Sequence, residues 1–262
     1  MNTDTATRRA EPADIQWDAP EWNTRCDLAA LYRLVAFFRW TDLISTHITA
    51  KVPGTQDHFL INHYGINFDE MRASDLVKID LDGNIVDERE QGKRVNRAGY
   101  VIHSAIHGAR PDLTCVIHTH TAAGIAVSCQ EDGLLPISQH ALKFYGHLGY
   151  HGYEGIALDL DERSRLVRDL GPHKAMILRN HGLLAGGRTI PEAFDLIYFL
   201  ERACQAQIAA QAGGAKLVYP PEEVRQRSAA QFHSSDGVSF HADLAWDAVL
   251  RSLPGGPTAH CC

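Results

Sequence analysis

Residues 113–120 read LTCVIHTH, an apolar run that ends in two histidines separated by one threonine. A short apolar run of this kind predicts a buried β-strand. Side chains two positions apart on a strand point to the same face, so His118 and His120 can direct both imidazoles at one atom. The sequence therefore predicts a strand whose carboxyl end carries two candidate metal ligands.

A third histidine follows another apolar run. Residues 175–187, AMILRNHGLLAGG, predict a pair of buried strands, and His181 stands between them. Gly182 is expected to let the chain turn tightly beside this histidine. Three neutral imidazoles leave the charge of a divalent ion uncompensated and its other coordination positions open. The spacing alone leaves two interpretations, a metal site or hydrogen-bonded structural histidines at strand ends.

The pattern around these histidines predicts a single α/β domain. Helical spacing of apolar residues, together with capping and stop signals, predicts helices at residues 28–38, 99–110, 160–171 and 189–211. Further strands are predicted at residues 46–52, 57–62 and 77–88, the last a hairpin with its turn at Asp82 and Gly83. This order of elements predicts a mixed, mainly antiparallel sheet sandwiched by helices. The expected divisions are a disordered tail at 1–20, the domain at 21–235 and a C-terminal extension at 236–262.

Composition narrows the classes of partner. The formal charge is -7 and no basic stripe is present, which argues against nucleic acid. No run approaches the roughly 18 apolar residues that a membrane span needs, and the first residues lack the apolar core of a signal peptide. The six cysteines form no C-x-x-C pair, which favours reduced thiols and a cytoplasmic location.

Three blocks of the sequence resemble the class II aldolase/adducin family. They are ARPDLTCVIHTHTAAGIAVS, LRNHGLLAGG and IPEAFDLIYFLERACQAQ, at residues 109–128, 178–187 and 190–207. The similarity runs from about Cys26 to about Gly214, and the order and spacing of the blocks make it specific. The resemblance implies one divalent ion on His118, His120 and His181, with zinc expected and Fe(II) or manganese as alternatives. It also implies a homotetramer or another homo-oligomer.

The departures from the family's aldolases concern phosphate binding and proton transfer. The resemblance places Gly99 where sugar-phosphate aldolases carry a catalytic glutamate, and Arg97 and Ala98 where they carry two phosphate-binding serines. His47, with Thr46 before it, replaces a phosphate-loop Gly-Asn pair, whereas Gly65 of a second phosphate loop is retained. These changes resemble the adducin-like branch of the family. Arg97, His47 and Gly65 are therefore predicted to bind the substrate, with Arg97 holding a carboxylate; an exposed arginine is the alternative.

The missing glutamate favours a reaction that does not begin with proton abstraction from carbon. A carbon–carbon lyase of the decarboxylase or retro-aldolase type meets this condition, because the metal can polarise a substrate oxygen and stabilise an enolate. The predicted substrate is a small hydroxy, oxo or aromatic carboxylic acid. His140, Tyr145 and Tyr153 are the predicted acid–base residues, although packing roles are equally open for them.

Two other functions remain open at this stage. Three histidines with open coordination positions also suit Fe(II), and the fold resembles the iron oxygenases of aminocoumarin biosynthesis, which cleave a prenylated hydroxyphenylpyruvate. Adducin heads share the histidine pattern and serve the membrane skeleton, so a non-catalytic binding domain is the second alternative.

Overall fold

The computed structural model of the chain describes residues 17–155, 162–234 and 238–261, without the side chains of 97–99 and 238–240. The described strands form one seven-stranded sheet. Their bounds are β1 Ile48–Lys51, β2 Phe59–Ile61, β3 Val77–Ile79, β4 Cys115–Thr119, β5 Leu148–His151, β6 Ala175–Leu178 and β7 Gly182–Gly187. The α-helices are α1 Ala19–Phe37, α2 Arg97–Ala109, α3 Ala122–Ser128, α4 Gln139–Leu142, α5 Glu162–Leu170, α6 Ile190–Gln211, α7 Glu222–Phe232 and α8 Val238–Leu250, with 3-10 turns at Ala73–Asp75 and Glu88–Glu90.

The strand order is β3-β2-β1-β4-β7-β6-β5. Only the β5–β6 pair is parallel, and the crossover between these two strands contains α5. The other five pairings are antiparallel. The predicted mixed, mainly antiparallel sheet is therefore confirmed, as is the α/β class.

The central strands bury both faces, as strands between two helix layers must. Alternate residues of β4 point to opposite sides: Val116 packs in a cluster with Ile106 of α2 and Leu166 of α5. Its neighbour Ile117 packs on the other side, in the cluster that contains Leu31 of α1 and much of α6. The prediction that helices sandwich the sheet is thus also confirmed.

Local signals explain where the two longest helices begin. Asp18 caps α1, because its carboxylate accepts a hydrogen bond from the Glu21 amide. Thr189 caps α6 by accepting from the amide of Glu192, as the capping signal predicts. The Glu192 carboxylate, however, accepts from the amide of Arg188 at 2.7 Å instead of closing the box on Thr189.

Several local predictions differ from the structure. Helix α1 begins at Ala19, inside the predicted tail, and residues 1–16 lie outside the described part of the chain. The predicted hairpin at 77–88 shrinks to β3 and a single bridge between Ile79 and Ile85, because Asp80 turns the chain by accepting from the amides of residues 82 and 84. Strand β5 was not predicted at all.

The C-terminal extension packs on the domain. Trp246, Leu250 and Leu253 belong to the main core cluster, and Cys261 lies buried against Trp22 of the other end of the chain. The limits at 21–235 and 236–262 stay predictions. Among the helices that the structure describes, none combines the length and apolar character needed to cross a bilayer.

Candidate metal centre

Antiparallel pairing of β4 with β7 brings the three predicted histidines together. His118 lies in β4 opposite Leu184, His120 follows the strand, and His181 lies in the β6–β7 turn. The Nε2 atom of His118 is 2.8 Å from Nε2 of His120 and 3.2 Å from Nε2 of His181. These histidines form a group whose candidate ligand atoms all lie within 4.8 Å of one another.

Gly182 matters for a different reason from the one predicted. The left-handed conformation of the turn belongs to Asn180, at φ 54°, a residue that tolerates it well. A Cβ atom at Gly182 would lie 2.4 Å from the carbonyl oxygen of Thr119 and 3.3 Å from the His120 ring. The glycine is therefore required because β4 and its histidines approach the β7 backbone closely.

Hydrogen bonds behind the rings fix which nitrogens face the centre. Nδ1 of His118 lies 2.8 Å from the Leu183 carbonyl oxygen, which can only accept, so this nitrogen carries the proton. Nδ1 of His120 donates to the carboxylate of Asp42 at 2.9 Å. The two Nε2 atoms are therefore left with lone pairs that face each other. A carboxylate or carbonyl behind a ligating histidine is the usual support of a metal site.

The geometry fits a divalent cation. Two nitrogens bound about 2.1 Å from a tetrahedral zinc lie about 3.4 Å apart, so the observed 2.8 and 3.2 Å would have to widen slightly around an ion. Facing lone pairs repel each other, and a shared cation removes that repulsion. Asp42 was not predicted, since it lies in a loop 78 positions before His120 with no motif around it.

Burial favours the neutral, metal-binding form of His118 and His181. It holds the pKa of His118 well below its usual value, with further lowering from His181 and His120. Burial likewise lowers the pKa of His181 to about 4, again helped by His120. Neutral imidazoles are ready to coordinate without first losing a proton.

A second row of histidines lies behind the centre. The ring of His47 is 6.2 Å from that of His118 and 4.1 Å from that of His103, measured between ring centroids. Thr49 Oγ1 lies 2.7 Å both from Nδ1 of His103 and from Nε2 of His107. The sequence alone did not indicate this buried row. The available signal was the spacing of His103 and His107, one helical turn apart on α2, together with the polar residue Thr49 on a strand.

In this row each group donates a hydrogen bond to the next, from His103 through Thr49 and His107 to the Leu113 carbonyl. The Leu113 carbonyl accepts from Nδ1 of His107 at 3.2 Å, so Nε2 of His107 accepts from the Thr49 hydroxyl. Thr49 then accepts from Nδ1 of His103. The Nε2 lone pair of His103 therefore faces away from Thr49.

The other predicted residues are more scattered. The ring of Tyr153 lies 6.3 Å from that of His181, at the edge of the centre. His140 stacks on Phe199 at 5.3 Å. The Tyr145 hydroxyl donates to Glu222 of α7 at 2.7 Å. Gly65 lies after β2 with a φ of 110°.

No contact in the described ranges joins His140, Tyr145 or Gly65 to the three histidines. The side chain of Arg97, at the start of α2, lies outside the described part. The roles predicted for these residues stay predictions.

Comparison with known proteins identifies the family. A family model described as the Class II Aldolase and Adducin N-terminal domain matches residues 26–208, which include all three histidines. The chain belongs to the class II aldolase/adducin family.

Relatives of this family member fall into two groups. A "Putative aldolase class 2 protein" of Pseudomonas aeruginosa is 51% identical, over 92% of this chain and 94% of its own length. Alpha-adducin of Rattus norvegicus is 48% identical over 76% of this chain, which spans only 28% of that protein.

Solved structures show the same fold. An aldolase II superfamily protein from Pseudomonas syringae has a TM-score of 0.87 at 54% identity, covering 94% of this chain and 98% of its own. L-fuculose 1-phosphate aldolase from Glaciozyma antarctica PI12 has a TM-score of 0.79 at 28% identity, covering 91% and 93%.

Proposed function

We propose that the protein is a divalent-metal-dependent carbon–carbon lyase of the decarboxylase or retro-aldolase type. Its substrate is a small hydroxy, oxo or aromatic carboxylic acid. The observation that carries the proposal is the convergence of the Nε2 atoms of His118, His120 and His181, two of them held as acceptors by hydrogen bonds behind the ring. A relative of the same fold, at 28% identity, is named as an aldolase.

Three histidines would hold the ion, and zinc is the first choice for such a ligand set. When bound, a divalent cation supplies a Lewis acid that withdraws electrons from a substrate carbonyl or hydroxyl oxygen. The uncharged ligands leave that positive charge undiminished. Leu183 and Asp42 keep the rings oriented, so the centre is organised before substrate arrives.

The position of Gly99 restricts the reaction class. Helix α2 carries no carboxylate there, so this position cannot take a proton from carbon. Decarboxylation begins with bond cleavage, and retro-aldol cleavage begins with loss of a hydroxyl proton, which is far more acidic than a proton on carbon. The proposed part of Tyr153 in proton exchange is supported by its half-exposed side chain and by its ring, which lies 6.3 Å from that of His181.

Binding of the substrate carboxylate is assigned to Arg97, with His47 and Gly65 as further predicted contacts. His140 and Tyr145 are separate from the centre within one chain. We therefore assign them a role only in a homo-oligomer, where a second copy can bring them to the site.

The test combines metal analysis with a panel of probe substrates. Protein purified without chelator under anaerobic conditions is analysed for zinc, manganese and iron. Hydroxybenzoates, 2-oxo acids and 4-hydroxy-2-oxo acids are then supplied, and release of carbon dioxide or of an aldehyde is measured. We expect turnover that His118→Ala abolishes and that His173→Ala, a histidine remote from the centre, retains.

Other outcomes point to the alternatives. Bound iron together with substrate-dependent oxygen uptake would favour the Fe(II) oxygenase. The 48% identity to alpha-adducin favours a non-catalytic binding domain as the second candidate. Absence of turnover with the whole panel, combined with His118→Ala lowering stability only, would support that candidate.

A further inference from the structure

A buried acid–base cluster lies next to the metal centre. His151, the last residue of β5, places Nδ1 2.8 Å from Oδ2 of Asp169 and Nε2 3.4 Å from Oε1 of Glu162. The side chains of His151 and Glu162 are only 4% and 9% exposed. Both carboxylates belong to α5, which packs over this end of β5.

The cluster shares a cavity with a candidate metal ligand. His151 and Glu162 line a narrow cavity together with His181 and Tyr153. Ile102 of α2 lines it as well, on the same helical face as Gly99 and one turn further on. The cavity, of about 10 Å³, has room for about one water molecule between the cluster and His181, one of the three histidines of the centre.

Glu162 is the available carboxylate of this cavity. Glu154 also lines it, but both of its oxygens accept hydrogen bonds from Arg165, at 2.8 and 3.0 Å. That ion pair is about a third exposed on each side. Glu162 instead faces the imidazole of His151, in a more buried position.

The contact between His151 and Glu162 can pass a proton. The Asp169 carboxylate accepts the proton of Nδ1, which leaves Nε2 to face Glu162. Nε2 of His151 can therefore exchange a proton with Glu162, as donor to the carboxylate or as acceptor from the carboxylic acid.

We propose that the His151–Glu162 pair, oriented by Asp169, is the acid–base group of the metal centre. Glu162 is the catalytic residue that exchanges the proton with the substrate, and Asp169 is a positioning residue. The inference rests on the proposed lyase function and names the group that carries its proton.

The proton balance follows for both reaction types. In decarboxylation the bond to the carboxyl carbon breaks, carbon dioxide leaves, and the electron pair stays on the neighbouring carbon. The pair then gives its proton to that carbon and regains one from solvent. In retro-aldol cleavage the pair takes the hydroxyl proton as the carbon–carbon bond breaks. An aldehyde leaves, and the same proton returns to the carbon of the enolate.

The first experiment uses pyruvate as the probe and the zinc-loaded protein in D₂O. Exchange of the methyl protons, followed by NMR, reports protonation of the enolate carbon by the pair and the reverse of that step. We expect Glu162→Gln and His151→Gln to slow exchange at least about 100-fold, as removal of a general acid–base group does. Asp169→Asn is expected to slow exchange about 10-fold and to displace its pH profile. The control Glu154→Gln is expected to stay within about threefold of wild type.

Zinc affinity, measured by competition with a chelator, separates a structural effect from a catalytic one. We expect the dissociation constants of Glu162→Gln and His151→Gln to stay within about threefold of wild type. Exchange at the wild-type rate in both variants would overturn the acid–base assignment and leave the lyase function intact. Loss of zinc in proportion to the loss of exchange would overturn it as well.

A second readout does not depend on turnover. The visible spectrum of the cobalt-loaded protein is titrated with pH, and we expect a transition whose midpoint moves by about one pH unit or more in Glu162→Gln. An unchanged midpoint in both Glu162→Gln and His151→Gln would overturn the coupling of the pair to the centre. The midpoint could move in Glu162→Gln although the wild-type protein neither exchanges the methyl protons of pyruvate nor cleaves any probe. That result would refute the lyase function and support the coupling of the pair to the centre.

Discussion

The carboxylate of Asp42 lies 2.9 Å from Nδ1 of His120, although 78 positions separate the two residues. Asp42 belongs to the loop after α1, and His120 follows β4. The Asp42 side chain is half exposed, so the bond closes the outer side of the centre. It leaves Nε2 of His120 as an acceptor that faces His118.

Asp42→Asn should weaken metal binding. An amide cannot attract the Nδ1 proton as a carboxylate does, so the ring loses both orientation and basicity. Loss of such a supporting group typically lowers metal affinity about 10- to 100-fold. Competition titration with zinc and a chelator measures the change. Asp57→Asn, in the loop between β1 and β2, is the control, and equal affinities for the two variants would contradict the prediction.

The sequence predicts that the three histidines converge, because strand alternation and two apolar runs are visible in it. The alternation of strand residues places His118 and His120 on one face, and the two apolar runs identify the strands at whose ends the three histidines lie. Glycine 182 was correctly singled out, but the reason for it depends on Thr119, a partner 63 positions away that no local pattern reveals.

Long-range partners explain the rest of what was missed. Asp42, Thr49 and the His151–Glu162 pair acquire their surroundings only when separate elements pack together. Strand β5 itself was missed because LGYH is short and contains a glycine. Glu162 looks from sequence like a favourable charge in the first turn of α5, and only the burial of its side chain against His151 distinguishes it.

Gly182→Ala should damage the centre and destabilise the fold. The new methyl group would lie 2.4 Å from the Thr119 carbonyl oxygen, and the β4 and β7 backbones must separate to admit it. Overpacking of this kind costs about 1–3 kcal/mol of unfolding free energy. Urea unfolding and zinc titration measure the two effects. Gly213→Ala, where no atom lies within 4 Å of the new carbon, is the control. If Gly182→Ala bound zinc with wild-type affinity, the close approach of the β4 and β7 backbones at Gly182 would not be required for the centre.

Metal-free protein should lose stability as the pH falls below about 6.5, partly because of His107. Burial lowers the pKa of His107 to about 3, with a further contribution from Lys51. Below the usual pKa of histidine, His107 binds a proton in the unfolded chain but stays neutral in the folded state. The unfolding free energy therefore decreases by about 1.4 kcal/mol per pH unit for this group as the pH falls from 6.5 towards 3. Above pH 6.5 this loss of stability is absent.

Urea unfolding at a series of pH values, with chelator present, measures this slope. His107→Gln should flatten the curve by about 1.4 kcal/mol per pH unit between pH 6 and pH 4. Thr49→Val is the matched variant, since it removes the shared hydroxyl but keeps the histidine; it should lower stability at every pH with little change in slope. Parallel curves for wild type and His107→Gln would refute the assignment.

Removing one partner of the buried ion pair between Lys143 and Asp195 should lower stability strongly. Replacing both residues with apolar ones should lower it much less. The side chains of Lys143 and Asp195 are only 7% and 2% exposed, and the ammonium also lies 4.5 Å above the Phe199 ring. Lys143→Met leaves the Asp195 carboxylate with His241, whose Nδ1 lies 3.2 Å from Oδ1, and removing one partner of a buried ion pair costs about 3–5 kcal/mol. In Lys143→Met/Asp195→Leu both charges are gone, so most of the lost stability should return.

Urea unfolding at neutral pH measures the stability of both variants. Lys174→Met is the control, because the ion pair of Lys174 with Glu192 is partly solvated and contributes about 1 kcal/mol or less. A double variant no more stable than Lys143→Met would mean that packing around the lysine stem, rather than the buried charge, dominates at this position.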